Sequence, residues 1–323
     1  MIFYLDTLGC AKNLVESEKI LSLCQKYGHI ITQNPFEAEI IVVNTCSFIH
    51  VAREESIETL FEYYLLKENK LKKLILTGCL ADMYSEELKK EFHEVDGIYS
   101  VKNFSLFLNS ISGNKNIEFD CSRYLLTPKG QAYLKIAEGC SHSCTFCTIP
   151  KFKGKFISEK EDDLLNEAKF LSQNGVKEIT LVAQDITSYG SDTGSSLAKL
   201  LQSLCKVKDL NWIRLLYTFP DKITNELIKV IGNEEKVCKY IDIPFQHLDD
   251  NVLKRMKRWG NYGRYRDLIL NLREKIKNIA IRTTLIVGFP GETEEEFSNL
   301  IDRIIEMNFD RLGAFEYSDE EGT

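Results

Sequence analysis

Apolar residues in this chain fall into two registers. Short, nearly unbroken apolar runs alternate with longer stretches in which apolar positions return at helical spacing. The first register predicts strands buried on both faces, the second helices that pack by one face. Ile2 to Leu5 is the first run. Leu14, Ile20, Leu21, Leu23, Cys24 and Tyr27 form the stripe that follows it, with Gly28 as the stop. Asn13 with Glu16 three residues on reads as the capping box that opens this helix. Runs at Ile40 to Val43 and Leu74 to Leu76 are each followed by a helical stretch, the first over roughly residues 50–67. Ser112 to Gln131 is turn-rich, beginning Ser112-Gly113-Asn114-Lys115-Asn116. Strand signals then return at 132–137, 178–183, 212–217, 240–244, 280–287 and 311–317, with helical stretches between them.

Strands that alternate with helices predict parallel sheets covered by helices. The chain therefore reads as α/β: an N-terminal parallel-sheet α/β domain over residues 1–125, then six βα units over 126–323 that suit a partial barrel. In both architectures ligands gather at the C-terminal ends of the strands.

Composition narrows the class. A length of 323 residues with 44% apolar content is enough for two buried cores. No apolar run approaches the ~18 residues of a membrane span. The start, Met1-Ile2-Phe3-Tyr4-Leu5-Asp6, lacks the basic region and apolar core of a secretory signal. A cytoplasmic protein with no membrane partner is expected. Ten cysteines in such a chain point to metal or catalytic use rather than disulfides. The net charge of −7 suits a basic protein partner better than a phosphate backbone. One run disagrees. Lys254-Arg255-Met256-Lys257-Arg258-Trp259-Gly260-Asn261-Tyr262-Gly263-Arg264-Tyr265-Arg266 interleaves cations and rings as RNA-binding surfaces do, although a solvated helix face produces the same composition.

The cysteines carry the chemistry. After the strand at 132–137 comes Glu138-Gly139-Cys140-Ser141-His142-Ser143-Cys144-Thr145-Phe146-Cys147, a C-x3-C-x2-C loop. Thiolates select iron–sulfur clusters or zinc. Structural zinc takes four ligands; no fourth cysteine lies nearby, and His142 is poorly placed to close a tetrahedron. A cubane held by three cysteines keeps one iron open. The bland alternatives are a zinc loop or three buried thiols. Cys10, Cys46 and Cys79 each lie just past a predicted strand of the first domain, so they are expected to converge on one sheet edge, against the alternative of three unrelated loop thiols. Cys24, Cys121, Cys205 and Cys238 match no motif and read as small core hydrophobes.

The cysteine loop, with Phe146 before its third cysteine, resembles the signature of the radical S-adenosylmethionine (SAM) enzymes. Gly9-Cys10-Ala11-Lys12-Asn13 with Glu16-Ser17-Glu18, then Asn44-Thr45-Cys46 and Thr77-Gly78-Cys79-Leu80, are similar to the N-terminal domain of methylthiotransferases. The resemblance implies a six-unit radical SAM barrel and two [4Fe-4S] clusters. Cys140, Cys144 and Cys147 would hold the radical cluster, and Cys10, Cys46 and Cys79 an auxiliary one. It implies no catalytic residue beyond these ligands. Phe146, Gln184, Asp185, Arg214, Gln246, Arg282 and Gly288, near or past the strand ends, are the expected SAM-facing residues. Structural roles compete at each: a βα turn for Gly288, a surface cation for Arg214, a hydrogen-bonded cap for the neighbouring His247.

The implied reaction is methylthiolation of an unactivated C–H bond, with two SAM molecules and an external electron donor. Members of the family modify an aspartate β-carbon of ribosomal protein S-twelve or an adenosine beside the tRNA anticodon. Ala11-Lys12 and Phe315-Glu316-Tyr317-Ser318 with Glu320-Glu321-Gly322-Thr323 resemble the ribosomal-protein branch. tRNA is the alternative substrate, and a non-catalytic iron–sulfur carrier the alternative class. The small β-barrel that ends family members is expected to be absent.

Overall fold

A computed structural model of the chain describes residues 1–113 and 117–323. Asn114-Lys115-Asn116, part of the expected turn segment, lies outside the described residues. The chain divides into two compact units, Met1–Thr127 and Pro128–Thr323. Among the described residues no helix is long and apolar enough to cross a membrane.

The first unit runs β1 (Ile2–Thr7), α1 (Ala11–Lys26), β2 (Ile30–Ile31), β3 (Ile40–Thr45), α2 (His50–Tyr64), β4 (Lys73–Gly78), α3 (Cys79–Glu91), β5 (Gly97–Ile98) and α4 (Phe104–Ser112). Its strands form one parallel sheet in the order β2-β1-β3-β4-β5. Every residue of the central strand β3 is buried, and strand alternation explains how. Ile40 and Val42 join Phe3, Ile20, Leu23 and Phe104 in one apolar cluster, while Ile41 and Val43 join Leu60, Leu74, Leu76 and Leu80 in another. Truncating a core side chain such as Leu60 to alanine costs about 2–5 kcal/mol.

The end of this unit is pinned by an ion pair with both side chains fully buried. Glu18 Oε2 accepts from Arg123 Nε at 3.0 Å and from Arg123 Nη2, and Oε1 accepts from the backbone N–H of Leu126 at 2.8 Å.

The second unit continues with β6 (Gln131–Lys135), β7 (Ala137–Glu138), α5 (Ile149–Phe152), β8 (Ile157–Ser158), α6 (Glu161–Gln173), β9 (Glu178–Val182) and α7 (Leu197–Cys205). Then come β10 (Trp212–Leu215), α8 (Asn225–Asn233), β11 (Tyr240–Asp242), α9 (Asp250–Arg255), α10 (Tyr262–Lys275), β12 (Ala280–Val287), α11 (Glu294–Met307) and β13 (Arg311–Glu316). Two parallel three-stranded sheets, β6-β9-β10 and β11-β12-β13, meet through the bridge between Ile213 and Val237 and the 3.0 Å bond from Thr218 N–H to Asp242 O. Six parallel strands in chain order form the partial barrel that the apolar runs predict.

The antiparallel pair β7–β8 escapes pattern reading, because two-residue strands have no period to read. It ends the first barrel strand at Lys135 and frames the cysteine loop.

Candidate active site

In the first unit the loops after β1, β3 and β4 bring Cys10, Cys46 and Cys79 together, and Asn13 is their hub. Asn13 Oδ1 lies 3.8 Å from the Sγ of Cys10 and 3.8 Å from the Sγ of Cys79. Its Nδ2 donates to Leu8 O at 2.9 Å and Thr45 O at 3.0 Å. Asn44 Nδ2 in turn donates to Asn13 O at 2.8 Å. Cys46 exchanges bonds with Ser56, its N–H donating to Oγ at 3.1 Å and its carbonyl accepting at 2.8 Å. Gly9 sits so close that a Cβ there would meet Cys46 Cβ at 2.8 Å and Sγ at 3.0 Å, and its φ is +90°. Only glycine lets the first and second cysteine loops approach this closely.

Asn13 does not cap α1. The helix begins at Ala11 with Cys10 in the N-cap position and no side-chain cap bond. The asparagine reads locally as a cap but is 2% exposed and satisfied by distant carbonyls instead. Cys79 opens α3 and Cys10 stands in the N-cap position of α1, so two of the three thiols lie at helix N-termini. Burial pushes the Cys46 thiol up.

In the second unit the C-x3-C-x2-C loop leaves β7 through Gly139. Its φ is +77°, and a Cβ would meet Lys155 O at 2.3 Å. Cys140 N–H bonds Gly154 O at 3.1 Å, and Cys147 N–H bonds Cys144 O at 3.2 Å. Cys140, Cys144 and Cys147 are near enough to feel one another's charge. Burial raises the Cys140 thiol and pushes Cys147 up to about 11.

Two braces hold the loop. His142 Nε2 lies 2.8 Å from Asp185 Oδ2, and its ring stacks on Phe219 at 3.7 Å and 9°. Asp185 also accepts from Thr187 N–H at 2.9 Å and from the Thr187 and Ser188 hydroxyls. On the other side, Thr145 N–H and Oγ1 donate to Met256 O and Arg255 O, and Phe146 packs with Val252, Met256 and Phe289. A polar cavity of about 370 Å³ opens beside the loop, against Ser141, His142, Phe156, Ser188, Asp221 and Lys222. Among the described residues, no three His, Cys, Asp or Glu side chains are gathered tightly enough for a single metal ion.

The remaining expected residues separate. Gln184 donates to Glu138 at 2.8 Å, beside the cysteine loop. Gln246 follows β11 with φ +72° and trades backbone bonds with Thr284 and Ile286 on β12. Gly288 follows β12, where its N–H and that of Phe289 donate to Glu292; Glu292 also bonds His247. Arg282 pairs with Asp242 at 2.7 Å. Arg214 turns the other way: it pairs with Glu178 at 2.6 Å and lies over Tyr240, the first residues of β9 and β11. Arg214 is the penultimate residue of β10, yet its long side chain reaches back to a charge at the strand starts. Cys24 is a core thiol as expected, whereas Cys121, Cys205 and Cys238 are only half-buried.

The basic run is partly engaged within the second unit. Arg255 holds Glu296 by two bonds of 3.0 and 2.8 Å, Met256 and Tyr265 are buried, and Arg258 reaches Cys144. Lys254, Lys257, Arg264 and Arg266 remain exposed, as does the ring of Trp259. Asn13 and Arg258 are the residues that sequence reasoning missed in these roles; the only local signal was their place in motifs read as a cap and a basic surface.

A six-stranded partial barrel with three cysteines in its first loop is a radical SAM fold. Residues 134–304 match the radical SAM superfamily, and residues 2–100 match a family described as uncharacterized protein family UPF0004. The fold is shared with the radical S-adenosylmethionine methyltransferase TsrM from Kitasatospora setae, at TM-score 0.72 and 13% identity, over 98% of this chain and 74% of that one. In sequence the chain is 45% identical to the ribosomal protein uS12 methylthiotransferase RimO of Alkaliphilus oremlandii, over 98% of its own length and 74% of the relative's. The proteins of that name from Geotalea uraniireducens and Aquifex aeolicus are each 47% identical, over 99% and 98% of this chain and 75% and 72% of theirs. The chain belongs to the radical SAM superfamily and, within it, to the family of these uS12 methylthiotransferases.

Proposed function

We propose that this chain is a radical SAM methylthiotransferase that adds a methylthio group to the β-carbon of an aspartate in ribosomal protein uS12. The observation that carries the reading is the pair of cysteine trios, each collected past the strand ends of its own parallel sheet, in a chain that shares 45–47% identity with proteins of that activity. We assign Cys140, Cys144 and Cys147 to one [4Fe-4S] cluster and Cys10, Cys46 and Cys79 to a second.

The donor sets suit such groups. Each trio offers soft sulfur ligands. Each also has a buried polar atom nearby with no hydrogen-bond partner among the described residues: Thr77 Oγ1 in the first unit and Arg258 Nε in the second. When loaded and reduced, such clusters with SAM supply a deoxyadenosyl radical and the sulfur to be inserted. The chain's own residues hold and orient. Phe146 walls the second trio with apolar contacts, His142 and Asp185 fix the loop, and Gln184, Gln246, Arg282 and Gly288 are the SAM-facing candidates. Arg214, committed to Glu178, is not among them. A low-potential electron donor and a cytoplasmic setting follow from this chemistry and substrate.

The test offers anaerobically reconstituted protein, SAM and dithionite to excess uS12 and to a tRNA anticodon stem-loop in parallel. The expected result is one methylthio mass gain on an aspartate of uS12 and none on the RNA. Lys254 and Lys257, exposed together with Arg264 and Arg266, should leave that modification intact when changed to Glu, since a basic protein substrate does not need a cationic face that binds phosphate. Methylthioadenosine in the RNA with unmodified uS12 would establish the tRNA activity instead, and absence of 5′-deoxyadenosine would leave only an iron–sulfur carrier.

A further inference from the structure

The basic run at residues 254–266 places one cation where no surface role needs it. Arg258 Nη1 lies 3.6 Å from the Sγ of Cys144. Its Nη2 donates to Pro244 O, the loop that follows β11. The guanidinium carbon stands 4.0 Å over the ring of Phe219, and His142 stacks on that same ring at 3.7 Å. Two groups this close to one ring centroid must occupy opposite faces. Arg258, Phe219 and His142 therefore form a three-layer stack whose outer members both belong to the cysteine loop's surroundings, one through the Cys144 sulfur and the other through the chain between Cys140 and Cys144.

The stack fixes the cation while leaving donor capacity unused. Arg258 Nε is buried and has no hydrogen-bond partner among the described residues. A planar guanidinium holds its geometry through stacking and forked donors in a way that a lysine ammonium does not. Hydrogen bonds to cluster sulfurs, and net charge around them, set the reduction potential of an iron–sulfur centre. A cation next to a sulfur ligand favours the state that carries one more electron.

We propose that Arg258 is a positioning residue of the Cys140–Cys147 centre, which anchors the Cys144 sulfur by hydrogen bonding and makes one-electron reduction of the group held there easier. The proposal rests on assigning a cluster to Cys140, Cys144 and Cys147. In the step it affects, one electron passes from an external one-electron donor (dithionite in the test) to the centre, and no bond forms or breaks. Arg258 gains no role in binding RNA by this account.

The experiment uses the full chain carrying Cys46→Ala, so that the second centre is observed alone. Arg258→Gln and Arg258→Lys are compared with that parent by iron content, by melting followed through circular dichroism, and by dithionite titration with paramagnetic resonance of the reduced centre. Arg258→Gln should keep iron and melting temperature, while its reduction equilibrium weakens about tenfold, a shift of about 59 mV to lower potential for one electron. Arg258→Lys, which keeps charge but loses the fork and the stack, should fall between Gln and parent. If Arg258→Gln loads iron and its potential equals the parent's, the proposal is overturned. If Arg258→Gln loses its iron, Arg258→Lys decides: a lowered potential supports the proposal, and the parent's potential overturns it. A parent that binds no cluster would overturn the cluster assignment itself, a result distinct from either outcome.

Discussion

The Sγ of Cys79 lies 3.8 Å from the Oδ1 of Asn13, although the two are 66 residues apart in sequence. The same oxygen is 3.8 Å from the Sγ of Cys10, and the amide nitrogen holds the carbonyls of Leu8 and Thr45. One side chain thus ties together the three loops that carry the first trio. Asn13→Ala would leave those two carbonyls unpaired, at about 1–3 kcal/mol for each group kept from water. Asn13→Asp keeps the shape but offers no donor and should fail similarly. Iron analysis of reconstituted protein should show about half the parent's iron, as loss of one cubane of two requires. Full iron in both variants would show that the trio assembles without this hub.

The two trios should fail differently. Cys46→Ala leaves Cys140, Cys144 and Cys147 in place, so 5′-deoxyadenosine should still form while uS12 gains no methylthio group. Cys144→Ala should abolish 5′-deoxyadenosine. Both products are read by mass spectrometry in the same incubation, and full methylthiolation by Cys46→Ala would remove the first trio from the reaction.

The Glu18–Arg123 pair predicts a large stability effect far from any cysteine. Both side chains are fully buried, and removing one partner leaves a charge without compensation. Arg123→Ala should destabilise the first unit by about 3–5 kcal/mol, measured by urea unfolding with a probe in that unit. A loss below about 1 kcal/mol would place the pair in the class of solvent-screened ion pairs.

His247 predicts a pH dependence. Its Nδ1 accepts from Asp249 N–H at 2.9 Å and its Nε2 faces Glu292 Oε1 at 3.0 Å. Burial holds the imidazole below its ordinary value, and Glu292 only partly opposes this. In the unfolded chain the ring titrates near ~6.5. As pH falls through that value the unfolded state takes up a proton that the folded state refuses, so stability falls with pH, by at most about 1.4 kcal/mol per pH unit. Urea midpoints taken between about pH 7.5 and about pH 5 should drop less steeply in His247→Gln than in the parent. Parallel slopes would remove His247 as the cause.

Much of this protein is written locally. Near-unbroken apolar runs marked β3 and β4, where burial on both faces leaves almost no room for polar positions. Barrel strands such as β6, β10 and β12 showed as apolar residues alternating with polar ones, buried on one face only. Cysteines just past those runs announced where the thiols would stand, since parallel strands share one C-terminal edge. The C-x3-C-x2-C loop needed only its spacing to be read.

Tertiary structure decided what those residues touch. Asn13 has the sequence signature of a helix cap, yet its partners are carbonyls and thiols brought in by two other loops. Arg258 sits in a run whose composition suggests a basic surface, and only the fold turns it onto Cys144 and Phe219. Arg214 and Arg282 look alike on their strands, but one finds Glu178 at the strand starts and the other Asp242 at a strand end. Apolar periodicity reports the direction of burial, which the chain sets locally. The partner of a long polar side chain depends on which distant charge or carbonyl packing has placed within reach, and no local pattern encodes that.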